Sequence, residues 1–276
     1  MSADKDFFEI KTNDDFDLEK IFECGQCFRW NRNSDGSYTG VAMGKAATIR
    51  KEDGRIYITG GKDDYDTVWH DYFDMDNDYA SIRAGLCIND YMKAASDFGA
   101  GIRILRQDKW EALCSFIISQ CNNIPRIKKI VEALCSNFGD EISFNGNKYY
   151  TFPSASTLAV LTPDDLAPLR CGYRAPYIID AAKAVASGEI DLDELSNGDL
   201  DSAVRVLRSI NGVGEKVANC AILFSLHKLD AFPIDVWMKK AISEHYKDGF
   251  DPKVLGEYAG VGQQYMFYYQ RSGTGK

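Results

Sequence analysis

Residues Leu207–Ile242 read LRSINGVGEKVANCAILFSLHKLDAFPIDVWMKKAI, and their punctuation decides the architecture of the second half of the chain. Val204, Leu207 and Ile210 recur at helical spacing, Asn211-Gly212-Val213-Gly214 interrupts them, and an apolar helix is predicted from Glu215 to about Leu226. Glycines at 212 and 214 let the backbone turn sharply and approach a ligand with the N–H groups that open the next helix, a geometry suited to phosphate. In that helix Lys216 is the last ionisable side chain, thiol apart, before the almost wholly apolar or small run Val217–Leu226. Desolvation beside a core favours a neutral, nucleophilic amine. Asp235 follows Phe232-Pro233-Ile234 and precedes Val236-Trp237-Met238, where it can cap a third helix with its carboxylate at the positive end. Singly, a Gly-x-Gly turn, a first-turn lysine and an N-cap aspartate are ordinary scaffolding. Together they set an amine and a carboxylate on neighbouring helix starts.

The 276 residues, 45% hydrophobic and 26% charged, suffice for a sizeable core and one or two closely packed domains. No run reaches the roughly 18 apolar residues that span a bilayer. Met1-Ser2-Ala3-Asp4-Lys5-Asp6 lacks a basic-then-apolar secretory start. The expectation is an intracellular protein, cytoplasmic in a bacterium, with no membrane partner and monomeric. Eight cysteines, several in apolar helical stretches, read as reduced thiols; the close pair Cys24 and Cys27 lacks the second pair a zinc site needs. The net charge of −9 argues against a general nucleic-acid binder. Its distribution is uneven, however: residues 1–100 hold 12 basic and 20 acidic groups, whereas 103–135 hold six and three, and 201–228 hold four and two. Basic surfaces are therefore expected on the helices, with a small phosphate footprint.

Along the chain, Phe7–Ile10, Gln26–Trp30, Tyr38–Ala42, Ala47–Arg50 and Ile56–Ile58 are predicted strands, with Asp-Gly turns at 35–36 and 53–54, making an antiparallel sheet. Within it, Cys24-Gly25-Gln26-Cys27-Phe28-Arg29-Trp30 reads as a turn entering a strand. The acidic, aromatic segment 62–79 reads as a solvated bridge with its rings inward. Helical periodicity starts at Tyr79, and a domain boundary is placed at 101/102, giving a β domain 1–101 and a helical region 102–276. GIRILRQD (101–108) leads into a helix carrying Trp110, Leu113, Cys114 and Ile117; Asn122-Asn123 breaks it before a helix opened by Pro125. That turn projects Asn122, Asn123, Arg126, Lys128 and Lys129 together. Thr162-Pro163-Asp164-Asp165 reads as a helix start, and Arg170-Cys171-Gly172-Tyr173-Arg174 interrupts the pattern before a helix ending near Ser187. An aromatic helix closes the chain from Tyr258 to Tyr269.

The hairpin GVG, Lys216, Pro233 and Asp235 resemble the helix-hairpin-helix, Gly/Pro-rich loop and aspartate of the DNA glycosylase superfamily, and Gly25-Gln26-Cys27-Phe28-Arg29-Trp30 is similar to the Gly-Gln-x-Phe-Arg-Trp motif of its 8-oxoguanine DNA glycosylase family. The motifs fall in the family's order over nearly the whole chain. The resemblance implies an α+β fold, a TATA-binding-protein-like antiparallel β domain followed by the helix-hairpin-helix region. Its partner would be double-stranded DNA bearing 8-oxoguanine. By the same resemblance Lys216 attacks the sugar C1′ and cleaves the strand by β-elimination, with Asp235 stabilising the oxocarbenium. Gly25 presents the carbonyl that reads the N7 proton distinguishing 8-oxoguanine from guanine.

Gln263 would then bond the Watson–Crick edge of the extruded purine, which Phe267 and Cys220 sandwich. Arg126 and Arg174 would contact the orphaned cytosine, Tyr173 would wedge the base step, and Asn122 and Asn123 would belong to the DNA-entering turn. Cys121 stands where better-known members carry asparagine, which implies a looser grip on the opposite base. Trp237 replaces a DNA-contacting histidine. Gly212 and Gly214 would bind phosphate, with a monovalent or divalent cation on the carbonyls of Arg208, Ile210 and Val213. No cofactor is required; the last cysteine is 220, so the four-cysteine iron–sulfur loop of the endonuclease III branch is missing. Two other readings remain open: an alkylated-base glycosylase, against which Lys216 and the Gly25 motif speak, and a non-catalytic DNA-structure binder that uses only the hairpin.

Overall fold

The computed structural model describes residues 7–12 and 15–273, so the Met1–Asp6 start lies outside the described residues. A five-stranded antiparallel sheet of order β1-β5-β4-β3-β2 forms from β1 (Phe7–Ile10), β2 (Trp30–Arg32), β3 (Tyr38–Ala42), β4 (Lys45–Glu52) and β5 (Arg55–Thr59), with α1 (Leu18–Glu23) inserted after β1. Asp53 and Gly54 join β4 to β5 with φ of +49° and +79°, the twist-matched turn that such a pair favours. The segment expected as a solvated bridge is instead helical, with α2 (Gly61–Asp64) and α3 (His70–Tyr72) joined by a π-helical turn. Its rings do turn inward as expected: Trp69, Tyr72 and Phe73 bury against the sheet, where Phe22 of α1 stacks on Trp30 at 4.6 Å. The predicted strand Gln26–Trp30 is a correction too: residues 24–29 are an irregular loop, and pairing starts only at Trp30, opposite Gly40.

The rest is helical: α4 (Tyr79–Gly85), α5 (Asp90–Gly99), α6 (Lys109–Ile118) and α7 (Ile124–Phe138), then a β6 (Glu141–Phe144) and β7 (Asn147–Tyr150) hairpin, then α8 (Ala155–Ala159) and α9 (Ala175–Ala186). It closes with α10 (Leu192–Asn197), α11 (Leu200–Leu207), α12 (Glu215–Phe224), α13 (Val236–His245) and α14 (Ala259–Arg271). The expected helix at Thr162 is only a turn and a 3₁₀ segment. Asp165 accepts from both the amide (2.8 Å) and the hydroxyl (2.7 Å) of Thr162, which closes the chain on itself locally. Two apolar cores form. One lies on the sheet and takes Leu105; the other contains the buried side chains of α4 and α5 and of the helices after residue 101, together with Cys24 and Phe28.

The seam between the cores is polar and fully bonded. Arg103, 1% exposed, donates to the carbonyls of Phe73 (2.9 Å), Asp74 (2.6 Å), Asn77 (3.0 Å) and Asp15 (3.2 Å). The buried Asp74 carboxylate takes Arg106 Nε (2.8 Å), Asn77 Nδ2 (2.8 Å) and Tyr79 Oη (2.8 Å), and faces His227 at 3.4 Å. Burial would raise its carboxyl, but the His227 ring and these hydrogen bonds outweigh that and hold it well below the usual carboxylate range. Folding thus depresses the Asp74 pKa, so its contribution is present above the unfolded value of about 4 and is lost as pH falls below it. Asp74→Asn is expected to cost about 2–3 kcal/mol in urea unfolding at pH 7, at the low end for a broken buried pair because Arg106 is half exposed. The gap between native and variant protein should narrow at pH 3; a gap that persists there would show that packing, not charge, matters at this position.

Candidate active site

The hairpin is built by steric necessity. Asp199 caps α11 through the Ser202 amide (2.8 Å), the helix ends at Leu207, and Gly212 turns the chain at φ +78°. A Cβ there would lie 2.2 Å from the Tyr177 ring, so no other residue fits. Gly214 opens α12 with no side-chain cap, which leaves first-turn amides free for a ligand. Lys216 is the second residue of α12; it is half-buried, and its Nζ lies 6.0 Å from the Phe116 ring centroid. It forms no salt bridge with any described residue. One turn further on, burial raises the Cys220 thiol, and the Lys216 amine pulls part of that shift back. Asp235 caps α13, accepting from the Met238 amide at 2.9 Å, and is half-buried. Lys216 and Asp235 line a single cavity of about 860 Å³, whose wall also includes Gly25, Phe28 and Phe267.

The Gly25 loop is held from four directions. Gln26 donates to the carbonyls of Ile21 (2.9 Å) and Arg103 (2.8 Å) and accepts from the Leu105 amide (2.9 Å). Gln107 holds the Gln26 carbonyl (2.8 Å), Gln264 the Cys24 carbonyl (3.0 Å) and Arg271 the Glu23 carbonyl (2.6 Å). With neighbours fixed and φ at +93°, the Gly25 carbonyl accepts no hydrogen bond from any described residue. It is a fixed, unsatisfied acceptor at the cavity edge. Cys24 and Cys27 flank it as buried free thiols whose pKa burial pushes up, Cys24 to about 11.

Phe267 reaches the cavity from α14, while Gln263 one turn earlier is 4% exposed, absent from the cavity wall, and has an Oε1 with no partner. On the opposite rim, Cys121 is exposed at φ +47°, Asn122 donates to Ile118 O (3.2 Å), and Asn123 caps α7 through the Arg126 amide (3.0 Å). Arg126 is exposed, and among the described residues its guanidinium has one long hydrogen bond, to Arg170 O (3.4 Å). Tyr173 is 52% exposed, with the Arg174 guanidinium 4.4 Å from its ring centroid. Arg174 is turned inward: 3% exposed, it donates to the carbonyls of Gln120 (2.8 Å), Cys121 (3.2 Å) and Cys171 (3.2 Å). Lys128, expected with the basic turn, folds back to Trp30 O (2.9 Å) and Glu23 (3.4 Å). Trp237, Ile234 and Val236 form an exposed apolar lip by Asp235. Residue reading missed Arg271, which sits on the wall beside Gly25; only its place one turn after Phe267 would have signalled it.

Two family models match. Residues 9–113 fit the N-terminal domain of 8-oxoguanine DNA glycosylase, and 114–253 fit the HhH-GPD superfamily of base excision DNA repair proteins. The N-glycosylase/DNA lyase of Saccharomyces cerevisiae is 31% identical over 256 residues, covering 83% of this chain and 68% of that protein. MBOgg1, solved with a low affinity DNA ligand, is 42% identical with a TM-score of 0.90, covering 97% and 99% of the two chains. The Clostridium acetobutylicum 8-oxoguanine glycosylase/lyase, solved with duplex DNA carrying cytosine opposite 8-oxoguanine, is 36% identical with a TM-score of 0.90, covering 99% and 100%. Among the described residues no helix is long and apolar enough to cross a membrane.

Proposed function

The chain belongs to the 8-oxoguanine DNA glycosylase family of the helix-hairpin-helix base excision repair superfamily, and on that premise we propose that it excises 8-oxoguanine opposite cytosine and cleaves the abasic strand through a Lys216 Schiff base. The observation that carries this reading is the shared cavity: a half-buried amine free of salt bridges, a helix-capping carboxylate and an unsatisfied carbonyl acceptor face one space large enough for a nucleobase. As the N9–C1′ bond breaks, the Asp235 carboxylate stabilises the oxocarbenium, and the Lys216 amine closes on C1′. The departing base takes the proton that the amine sheds. Ring opening gives the imine, the C2′ proton is lost, and the 3′ phosphate leaves. Gly25 selects the lesion because guanine would set a lone pair, not a proton, against its carbonyl.

The first-turn amides of α12 beside Gly212 and Gly214 suit a backbone phosphate. The carbonyls of Arg208 and Val213 accept no hydrogen bond from described residues, and that of Ile210 takes only the Val213 amide (3.0 Å). These oxygens fit a cation, which would add positive charge at the phosphate. Phe267 covers one purine face from the cavity wall, whereas Gln263, with a buried free Oε1, and Cys220 lie just behind that wall and turn into the cavity to meet the Watson–Crick edge and the other face when the base enters. The protein acts as a monomer on one duplex, with Tyr173, Asn122 and Asn123 entering the step opened by base flipping.

The opposite base is held more loosely. Arg174 is spent on three carbonyls, Cys121 offers only a thiol, and Arg126 alone remains free to reach cytosine. A good bidentate contact discriminates by about 1–3 kcal/mol, and a lone solvent-exposed arginine falls toward the low end of that range, a spread of about tenfold between cytosine and the poorest partner. Single-turnover cleavage of duplexes carrying 8-oxoguanine opposite each of the four bases checks lesion, partner and lyase step together. A drop beyond a hundredfold away from cytosine would mean Arg174 swings out on binding; no cleavage of any of the four would sink the glycosylase reading.

A further inference from the structure

We infer that Arg271 reads the lesion itself, donating from Nη1 to the C8 carbonyl oxygen of 8-oxoguanine beside the N7 proton taken by Gly25; this rests on the reading proposed above. The guanidinium is fixed on two sides. Nη2 donates to Glu23 O at 2.6 Å, and the planar group lies 5.5 Å from the Phe267 ring centroid. Nη1, by contrast, is shut off from solvent and has no hydrogen-bond partner among the described residues. An unpaired buried donor carries a desolvation cost that a ligand acceptor would relieve.

Its position is what assigns the ligand. The point where a Cβ on Gly25 would stand lies 3.4 Å from Arg271 Nη1, 3.4 Å from Ile124 Cδ1 and 3.7 Å from Phe267 Cε1, and all four residues line the cavity. Gly25, whose carbonyl is the acceptor, and Arg271, whose Nη1 is the donor, are therefore neighbours on the cavity wall that Phe267 shares. Oxidation of guanine at C8 creates the complementary edge, an N7–H donor next to a C=O acceptor. Guanine offers there a lone pair and a C–H, which meets neither group correctly. One carbonyl alone would read half of the change; the pair reads both halves, and the charge on arginine strengthens its bond.

The test is equilibrium binding of Arg271→Met against the unaltered protein, on a duplex whose 8-oxoguanine nucleoside carries a 2′-fluorine that blocks excision. A tetrahydrofuran abasic duplex and an undamaged duplex serve as controls. Loss of a charge-assisted bond should weaken 8-oxoguanine binding about tenfold to a hundredfold while the two controls stay put. Equal losses on all three duplexes would reduce Arg271 to a prop for the Glu23 loop, and no loss on any would remove it from recognition; either overturns the inference. An 8-oxoadenine duplex, which keeps N7–H and the C8 oxygen but has an amine at C6, should show the same penalty, and its absence would move the contact to O6. Should the unaltered protein fail to separate 8-oxoguanine from guanine, the proposed function fails with it; separation that survives Arg271→Met sinks this inference alone.

Discussion

Lys216→Gln is expected to abolish borohydride trapping of the protein on an 8-oxoguanine duplex and to lower strand cleavage by at least about a thousandfold, as loss of a nucleophile does. Glutamine is a fair test. It has comparable helix propensity, it keeps most of the stem that packs toward Phe116, and it removes a positive charge from a helix start, where such charge is mildly unfavourable. The thermal midpoint should therefore hold, so lost activity reports chemistry. Base release should fall with strand cleavage, since the same amine captures C1′ as the base leaves. A trapped adduct that persists in the glutamine variant moves the nucleophile elsewhere. Retained base release without trapping would recast the protein as one that uses water, with Lys216 serving only the strand cut.

The parts of this site that were legible in the sequence are those whose signal is local. Gly212 announces the hairpin because only glycine fits against Tyr177, and Asp235 announces α13 because a cap needs an oxygen three residues before the amide it takes. What stayed hidden depends on contacts far apart in the chain. The 24–29 loop alternates like a strand, yet its shape is imposed by Gln107, Gln264 and Arg271, the last reaching Glu23 across 248 positions. Asp74 looks like one more acid in a solvated run and is the buried hub of the seam, because His227 and Arg106 converge on it from distant segments. Two elements were readable and went unread. Leu18, Ile21 and Phe22 of α1 follow a capping Asp17 at helical spacing, and Asn145-Gly146, at φ +55° and +74°, joins β6 to β7 as the strongest short hairpin signal does.

Asp235→Asn isolates charge from structure at the other half of the pair. Asparagine caps as well as aspartate, so its Oδ1 can keep the Met238 amide now bonded at 2.9 Å, and α13 should begin where it does now. What disappears is a half-buried carboxylate facing the cavity. Removing one group that stabilises developing charge typically costs about a hundredfold to a thousandfold in rate, and that loss is expected in single-turnover excision of 8-oxoguanine at saturating protein. Binding should move the other way, if at all, because one less anion meets the phosphate backbone. Asp235→Ala would lose the cap as well, adding about 1 kcal/mol of instability to the same kinetic defect. The comparison of the two variants separates the roles. Equal excision by Asp235→Asn and the parent protein, with Asp235→Ala alone impaired, would make this aspartate a cap and nothing more, and the oxocarbenium would need another anion from a cavity whose wall offers only Glu215 beside it.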